Sequence, residues 1–172
     1  MPRPSTTLAD LFNNKPGLMD ALSDPFTIKS PASWAAYDVY GDSGESGGKT
    51  DVLRHLLGAA TLTRRQGPGY AAKALDWHEN PNVFQFLGGG YGQRPEDRQM
   101  DLHNNTLGMH IGSTAKTYDE ALQMAKQFIN EGRVRYAKDI PEPATQNQPP
   151  QTDYVDSAIN GGVDLVRRMF SK

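Results

Sequence analysis

The chain has 172 residues, 37% hydrophobic and 22% charged, which suits one domain with a sizeable core and polar loops or tails. Its net charge of −2 gives no general electrostatic reason to bind nucleic acid or an anionic membrane. With no cysteine, disulfides, thiolate nucleophiles and thiolate metal sites are all excluded.

The first residues, Met1-Pro2-Arg3-Pro4-Ser5-Thr6-Thr7, lack the apolar run of a Sec signal peptide, and no stretch is apolar for long enough to make a transmembrane segment. The expectation is a soluble chain, cytoplasmic as synthesised, with delivery inside a virion or by a secretion machine left open. Residues 1–49 read as an N-terminal arm and glycine-rich loop. Residues 50–140 read as a helical core domain, 141–152 as a Pro-rich linker and 153–172 as a C-terminal helical tail.

Within the arm, 7–14 and 18–22 carry short apolar pieces, neither long enough to be a stable helix alone. Residues 33–40 suit a short strand or a helical turn whose Trp34, Tyr37 and Tyr40 anchor the arm on the core. The following Gly41–Thr50 stretch ends like a phosphate-binding loop, but position 43, where that motif needs glycine, is Ser43. Gly41-Asp42-Ser43-Gly44 likewise suggests a trypsin-like nucleophile segment, which requires a much longer all-β chain. A flexible loop is the simpler reading.

Thr50 is the expected N-cap of a helix over 51–65, with Val52, Leu53, Leu56, Leu57, Ala60 and Leu62 as a broad apolar surface. His55, Gly58 and Ala59 form a second row that permits close helix contact. A helix over 68–79 places Ala71, Ala74, Leu75 and His78 on one face, flanked by Tyr70 and Trp77. It delivers His78-Glu79 just before Asn80-Pro81. A carboxylate at that negative end of the dipole, beside Trp77, suits a general acid. Residues 83–87 and the following Gly88-Gly89-Gly90-Tyr91-Gly92 suggest one short strand or hairpin and a mobile loop.

Pro95 opens the next helix, in which Met100, His103, Leu107 and Ile111 face a core. Asp97, Asp101, Asn104, Asn105 and Gly108 run along the adjoining face. These residue types weaken a helix interior, so five together suggest either a polar face turned into a cleft, with Gly108 making room for a neighbour or ligand, or a wet face whose Asn side chains tie down nearby loops. Thr117-Tyr118-Asp119-Glu120 is a capping box for a helix to about Glu131, with Leu122, Ala125, Phe128 and Ile129 as its core stripe. Gly132 ends it, and Arg133-Val134-Arg135-Tyr136 alternates like a brief strand. The tail carries an apolar helical pattern interrupted by Gly161-Gly162. The fold expected is mainly α: a compact bundle of about four helices with a short hairpin, an extended N-terminal arm and an amphipathic C-terminal tail.

Three segments carry a resemblance: Asp51-Val52-Leu53-Arg54-His55, His78-Glu79 at a helix end, and Met100 through Gly108, read as Met-Asp-Leu-His-Asn-Asn-x-x-Gly. Together they resemble a family of mostly uncharacterised bacterial and phage-associated domains. Where that family often has a bulky aromatic and an Asn, this chain has Gly58 and Ala59. The resemblance implies an α-rich domain met in secreted or toxin-like contexts, and implies no particular reaction.

The leading functional expectation is a small hydrolase of a bacterial cell-envelope component, with His55, Glu79 and Asp101 catalytic. In a lysozyme-like version, Glu79 is the general acid for peptidoglycan cleavage, Asp101 is the second carboxylate, and His55 orients Asp101 or acts as base. Arg54, His78, His103, Asn104 and Asn105 would bind substrate. In a phospholipase-like version, His55 and Asp101 are a base–orienter pair for ester hydrolysis, although no Asp follows His55 and no calcium loop is visible. No cofactor is expected. A divalent metal on His55, His78, Glu79, Asp101 and His103 stays open, since the residue types suit zinc but the His-Glu-x-x-His spacing is absent. The competing class is a non-catalytic component of a phage particle or secretion assembly, meeting a protein partner through the arm and tail. In that case the same polar residues only fix helix packing.

Overall fold

The computed structural model describes residues 3, 5–13, 26–42, 47–79 and 95–136, all within the unit Met1–Pro141. These residues form six helices and, among themselves, no strand. They are α1 (Leu8–Asn13), α2 (Phe26–Tyr40), α3 (Lys49–Gln66), α4 (Pro68–His78), α5 (Pro95–Thr114) and α6 (Tyr118–Asn130). The mainly α, compact fold holds, with more helices than the expected four. The piece at 18–22, the hairpin at 83–92, the linker and the tail lie outside the described residues.

The helix at the centre is α3, which touches every other helix. Thirteen of its 18 residues are buried, polar ones such as Asp51, His55 and Arg65 among them, so it is enclosed on nearly all sides. Its closest neighbour is α5, and glycine is the reason. A Cβ on Gly108 would lie 2.5 Å from the Leu56 carbonyl oxygen and 2.7 Å from the Ala59 Cβ. One on Gly112 would overlap the Ala60 carbonyl. The small residues of both helices therefore let backbone meet backbone, and the room made by Gly108 is taken by α3. Gly58 faces the other way, toward Ala32 and Ile28 of α2.

α2 differs from expectation. In place of a short strand or turn at 33–40 there is a 15-residue helix with Pro31 inside it. The proline removes one helical hydrogen bond, yet Ile28, Ala32 and Ala36 are buried at helical spacing against the core. Apolar burial outweighs the local signal. α1 is also part of the core: Leu8, Leu11 and Phe12 are buried, the buried Arg65 donates to the Leu11 carbonyl at 2.9 Å, and Phe12 meets Tyr118 edge-on. The apolar face of α1 is thus spent within the chain.

The helix ends follow local chemistry. α1 has a reciprocal Thr7–Asp10 cap, in which each backbone N–H donates to the other residue's side chain. α6 keeps its capping box: Glu120 N–H donates to Thr117 Oγ1, and Glu120 Oε2 accepts from Lys116 N–H. Gly132, at φ 67°, closes α6, with Arg133 N–H returning to the Phe128 carbonyl. Thr50 is not the cap of α3. The helix starts earlier, at Gly48, and the Thr50 hydroxyl donates to the Gly41 carbonyl while Asp51 accepts from Gly47 N–H. Residues 133–136 are not a strand. Their alternation arises because Val134 is buried while Asn104 holds Arg135 with both ends of its amide, at 2.9 and 3.0 Å.

Candidate functional site

α3, α5 and the end of α4 bring one polar cluster together in this apolar setting. His55 points from α3 toward α5, where Asp101 and Asn105 lie one helical turn apart. His55 Nε2 is 3.0 Å from Asp101 Oδ1, and its Nδ1 is 3.1 Å from Asn105 Oδ1. Glu79 Oε1 lies 4.0 Å from the same Nδ1 and accepts from Asn105 Nδ2 at 3.4 Å. His55, Glu79 and Asp101, expected from distant pieces of chain, are thus gathered around one imidazole.

Two further charged residues complete the cluster. Arg54 donates to Asp51 through Nε at 3.1 Å and through Nη2 in a still closer contact. The same Nη2 donates to His55 Nε2 at 2.8 Å. Asp51 Oδ1 is 3.6 Å from Nε2. Asp51 opens the Asp51–His55 motif segment but is not among the site residues expected from the sequence. Its place four residues before His55, on the same helical face, is the signal that locates it.

Burial governs the electrostatics. It lowers the His55 pKa from 6.5 to about 4, followed by the repulsion of Arg54, against the opposing pull of Glu79, Asp51 and the Asn105 hydrogen bond. The ring is therefore neutral at pH 7. A neutral ring has one N–H and one lone pair. With Arg54 donating to Nε2, the N–H sits on Nδ1 and goes to Asn105. If Arg54 withdraws and the Asn105 amide oxygen swings away from Nδ1, Nε2–H can bind Asp101 and the lone pair moves to Nδ1.

Glu79 is positioned by its backbone. It caps α4, and the buried Arg98 donates from Nε to the Glu79 carbonyl at 3.0 Å while pairing with Asp76 at 3.1 Å. Burial raises the Asp76 carboxyl, partly offset by Arg98. His78 Nδ1 is 3.2 Å from Glu79 Oε1. Trp77, expected to shield Glu79, is instead 44% exposed. The spacing explains this, since two helical positions separate Trp77 from Glu79 and turn them about 200° apart.

Not every expected site residue joins the cluster. His103 Nε2 contacts the Arg133 carbonyl at 2.8 Å, and Asn104 clamps Arg135, so both are engaged with residues 133–135. A five-ligand metal site that includes His103 is not assembled. Among the described residues, Asp51, His55 and Asp101 are grouped with donor atoms within 4.8 Å of one another. The Arg54 guanidinium lies on two of those three residues, so a metal there would have to displace a fixed cation.

A cleft of about 420 Å³, its open mouth included, reaches the cluster. His55, Glu79, Asn105, Arg54 and His78 form its polar end, and Ile28, Ala32, Leu62 and Leu75 contribute apolar wall. Asp101 does not line it but contacts His55.

The profile of a family described as Domain of unknown function (DUF6973) matches residues 21–134, about two thirds of the chain. The chain belongs to that family. No curated protein and no solved structure matches it significantly. The DUF6973 match spans α2 through α6 and takes in all the cluster residues, while α1 lies outside it.

Proposed function

We propose that this DUF6973 domain is a hydrolase of a bacterial cell-envelope ester, in which His55 is the general base and Asp101 orients it. The observation that carries the reading is the relation of the dyad to the cleft. His55 reaches a cleft with an apolar wall, and Asp101, which does not line that cleft, lies 3.0 Å from Nε2, placed to accept its N–H in the other tautomer. In the working tautomer Asp101 accepts Nε2–H, and Nδ1 takes a proton from water. The water oxygen adds to the ester carbonyl, and the proton then passes to the leaving alcohol oxygen, giving acid and alcohol. The second Asn105 Nδ2–H, not taken by Glu79, is the donor at hand for the developing oxyanion. Glu79 holds Asn105 and His78 in place.

The peptidoglycan-cleaving version has less support. Its two carboxylates must flank an open space about 5 Å wide or more for the sugar. Here the His55 ring stands between Glu79 and Asp101, within 4.0 Å and 3.0 Å of them. One observation favours the non-catalytic alternative: at rest, both ring nitrogens of His55 already have partners.

The test compares wild type with His55→Gln and Asp101→Asn on short-chain phospholipid, p-nitrophenyl ester and peptidoglycan substrates, with melting temperatures measured alongside. Hydrolysis of an ester is expected, with losses of about 100-fold or more in kcat for both variants and modest changes in melting temperature. The acid limb of the rate profile should fall near pH 4 to 5 rather than 6.5, because burial depresses His55. Inactivity of pure wild type on every ester, together with large melting-temperature losses in both variants, would establish the packing-network account instead.

A further inference from the structure

A second cleft, of about 1100 Å³ with its opening included, lies beside the first. Trp34 and Tyr37 of α2 form its aromatic side, and Asp51 and Thr50 of α3 its polar side. Lys29 and Arg54 line both clefts, and among the described residues they are the pair the two have in common. They form a cationic seam between an apolar compartment that ends at His55 and an aromatic compartment open to solvent.

We infer that this seam binds the phosphate of an acylated phosphate ester, with the acyl chain in the apolar cleft and the head group on the aromatic one. The inference rests on the ester-hydrolase reading and names its substrate class. The charge at the seam is divided unequally. Arg54 is balanced by Asp51, whereas the exposed Lys29 makes no ion pair among the described residues. A positive charge at the lip of a low-dielectric cleft attracts an anion to that point. The Ser33 hydroxyl donates back to the Lys29 carbonyl one turn earlier in α2. Trp34 and Tyr37 meet edge-on at 5.7 Å, Arg3 lies over the Trp34 ring at 4.9 Å, and Tyr37 is 45% exposed.

The arrangement also links binding to chemistry. A phosphate at the seam competes with Asp51 for Arg54. Drawing Arg54 away from His55 Nε2 leaves Asp101 as the partner of that nitrogen, and the lone pair then falls on Nδ1 as the Asn105 amide oxygen swings away. The substrate's own charge selects the working tautomer.

The experiment is calorimetric binding of three probes to the full chain: dihexanoyl phosphatidic acid below its micelle concentration, the matching uncharged diacylglycerol, and inorganic phosphate. Each is titrated into wild type, Lys29→Gln and Lys29→Arg. Phosphatidic acid is expected to bind wild type at least tenfold more tightly than either other probe. Lys29→Gln should reduce that preference to less than threefold, and Lys29→Arg should retain most of it. Equal affinity for charged and uncharged lipid overturns the proposal, as does a preference that survives Lys29→Gln. Inorganic phosphate binding as tightly as the lipid would show that the acyl compartment is not used, and also overturns it. None of these measurements needs turnover, so selective binding without hydrolysis would remove the enzymatic reading and leave the seam intact.

Discussion

At the scale of a single residue, His55 is where burial and charge act most strongly. Its folded pKa of about 4 lies below the ordinary 6.5, so the unfolded chain takes up a proton at a pH where the folded chain does not. Above about pH 6.5 both states are neutral and the residue adds no pH dependence. As pH falls from 6.5 toward 4, the unfolded state gains protons and stability declines, by on the order of 3 kcal/mol across that window. Urea unfolding at pH 7, 6, 5 and 4.5 should show this slope in wild type and a much flatter one in His55→Asn. Parallel slopes would mean that the ring titrates normally and is less enclosed than its surroundings imply.

Individual residues were unevenly legible in the sequence. His55, Glu79 and Asp101 were found through motif segments, and the fold brings them around one ring. Spacing alone could not have joined them, because the contacts run between α3, α5 and the end of α4. Asp51 was obscured by a second job, since an acid in a first turn already has an adequate local explanation. His103 and Asn104 share the motif with Asp101 and Asn105, but helical rotation turns them to different neighbours.

At the scale of the element, the α3–α5 contact is the feature least tolerant of change. Gly108→Ala places a methyl group against the Leu56 backbone oxygen, which cannot rotate aside as a side chain tip could. The substitution is expected to cost about 1–3 kcal/mol despite the better helix propensity of alanine. Gly58→Ala is the matched control, because its new Cβ meets Ala32 at an ordinary 3.7 Å and gains up to about 1 kcal/mol from helix propensity. Opposite shifts in melting temperature are expected. A gain in both would mean that α3 and α5 are less closely packed than described.

The two helices also show why some elements read clearly and others did not. α6 was legible from Thr117 to Gly132 because its cap, apolar stripe and stop signal agree. α2 was not, because its aromatics suit a short strand as well as a helical turn. Packing of Ile28, Ala32 and Ala36 settled the matter, and a lone segment cannot display its packing. Residues 133–136 misled in the opposite way: a two-residue alternation came from one buried valine and one side-chain clamp rather than a sheet.

At the scale of the whole molecule, the question is what the N-terminal segment serves. A segment kept for a partner should be dispensable to the monomer, whereas α1 buries Phe12 almost completely and accepts a bond from Arg65. Phe12→Ala is therefore expected to lower stability by about 3–5 kcal/mol in denaturant unfolding. A change under about 0.5 kcal/mol would return α1 to the role of a detachable arm. No helix among the described residues is long and apolar enough to cross a membrane.

The enclosure of α3 has an evolutionary consequence. The helix that carries the imidazole is also the one every other helix leans on, so nearly any change there is paid twice, in chemistry and in folding. Diversification of ligand preference would then fall to the outer walls, α2 above all, where Lys29, Trp34 and Tyr37 can vary at little structural cost. Relatives with the same buried machinery and different α2 surfaces would be the expected mark of that division of labour.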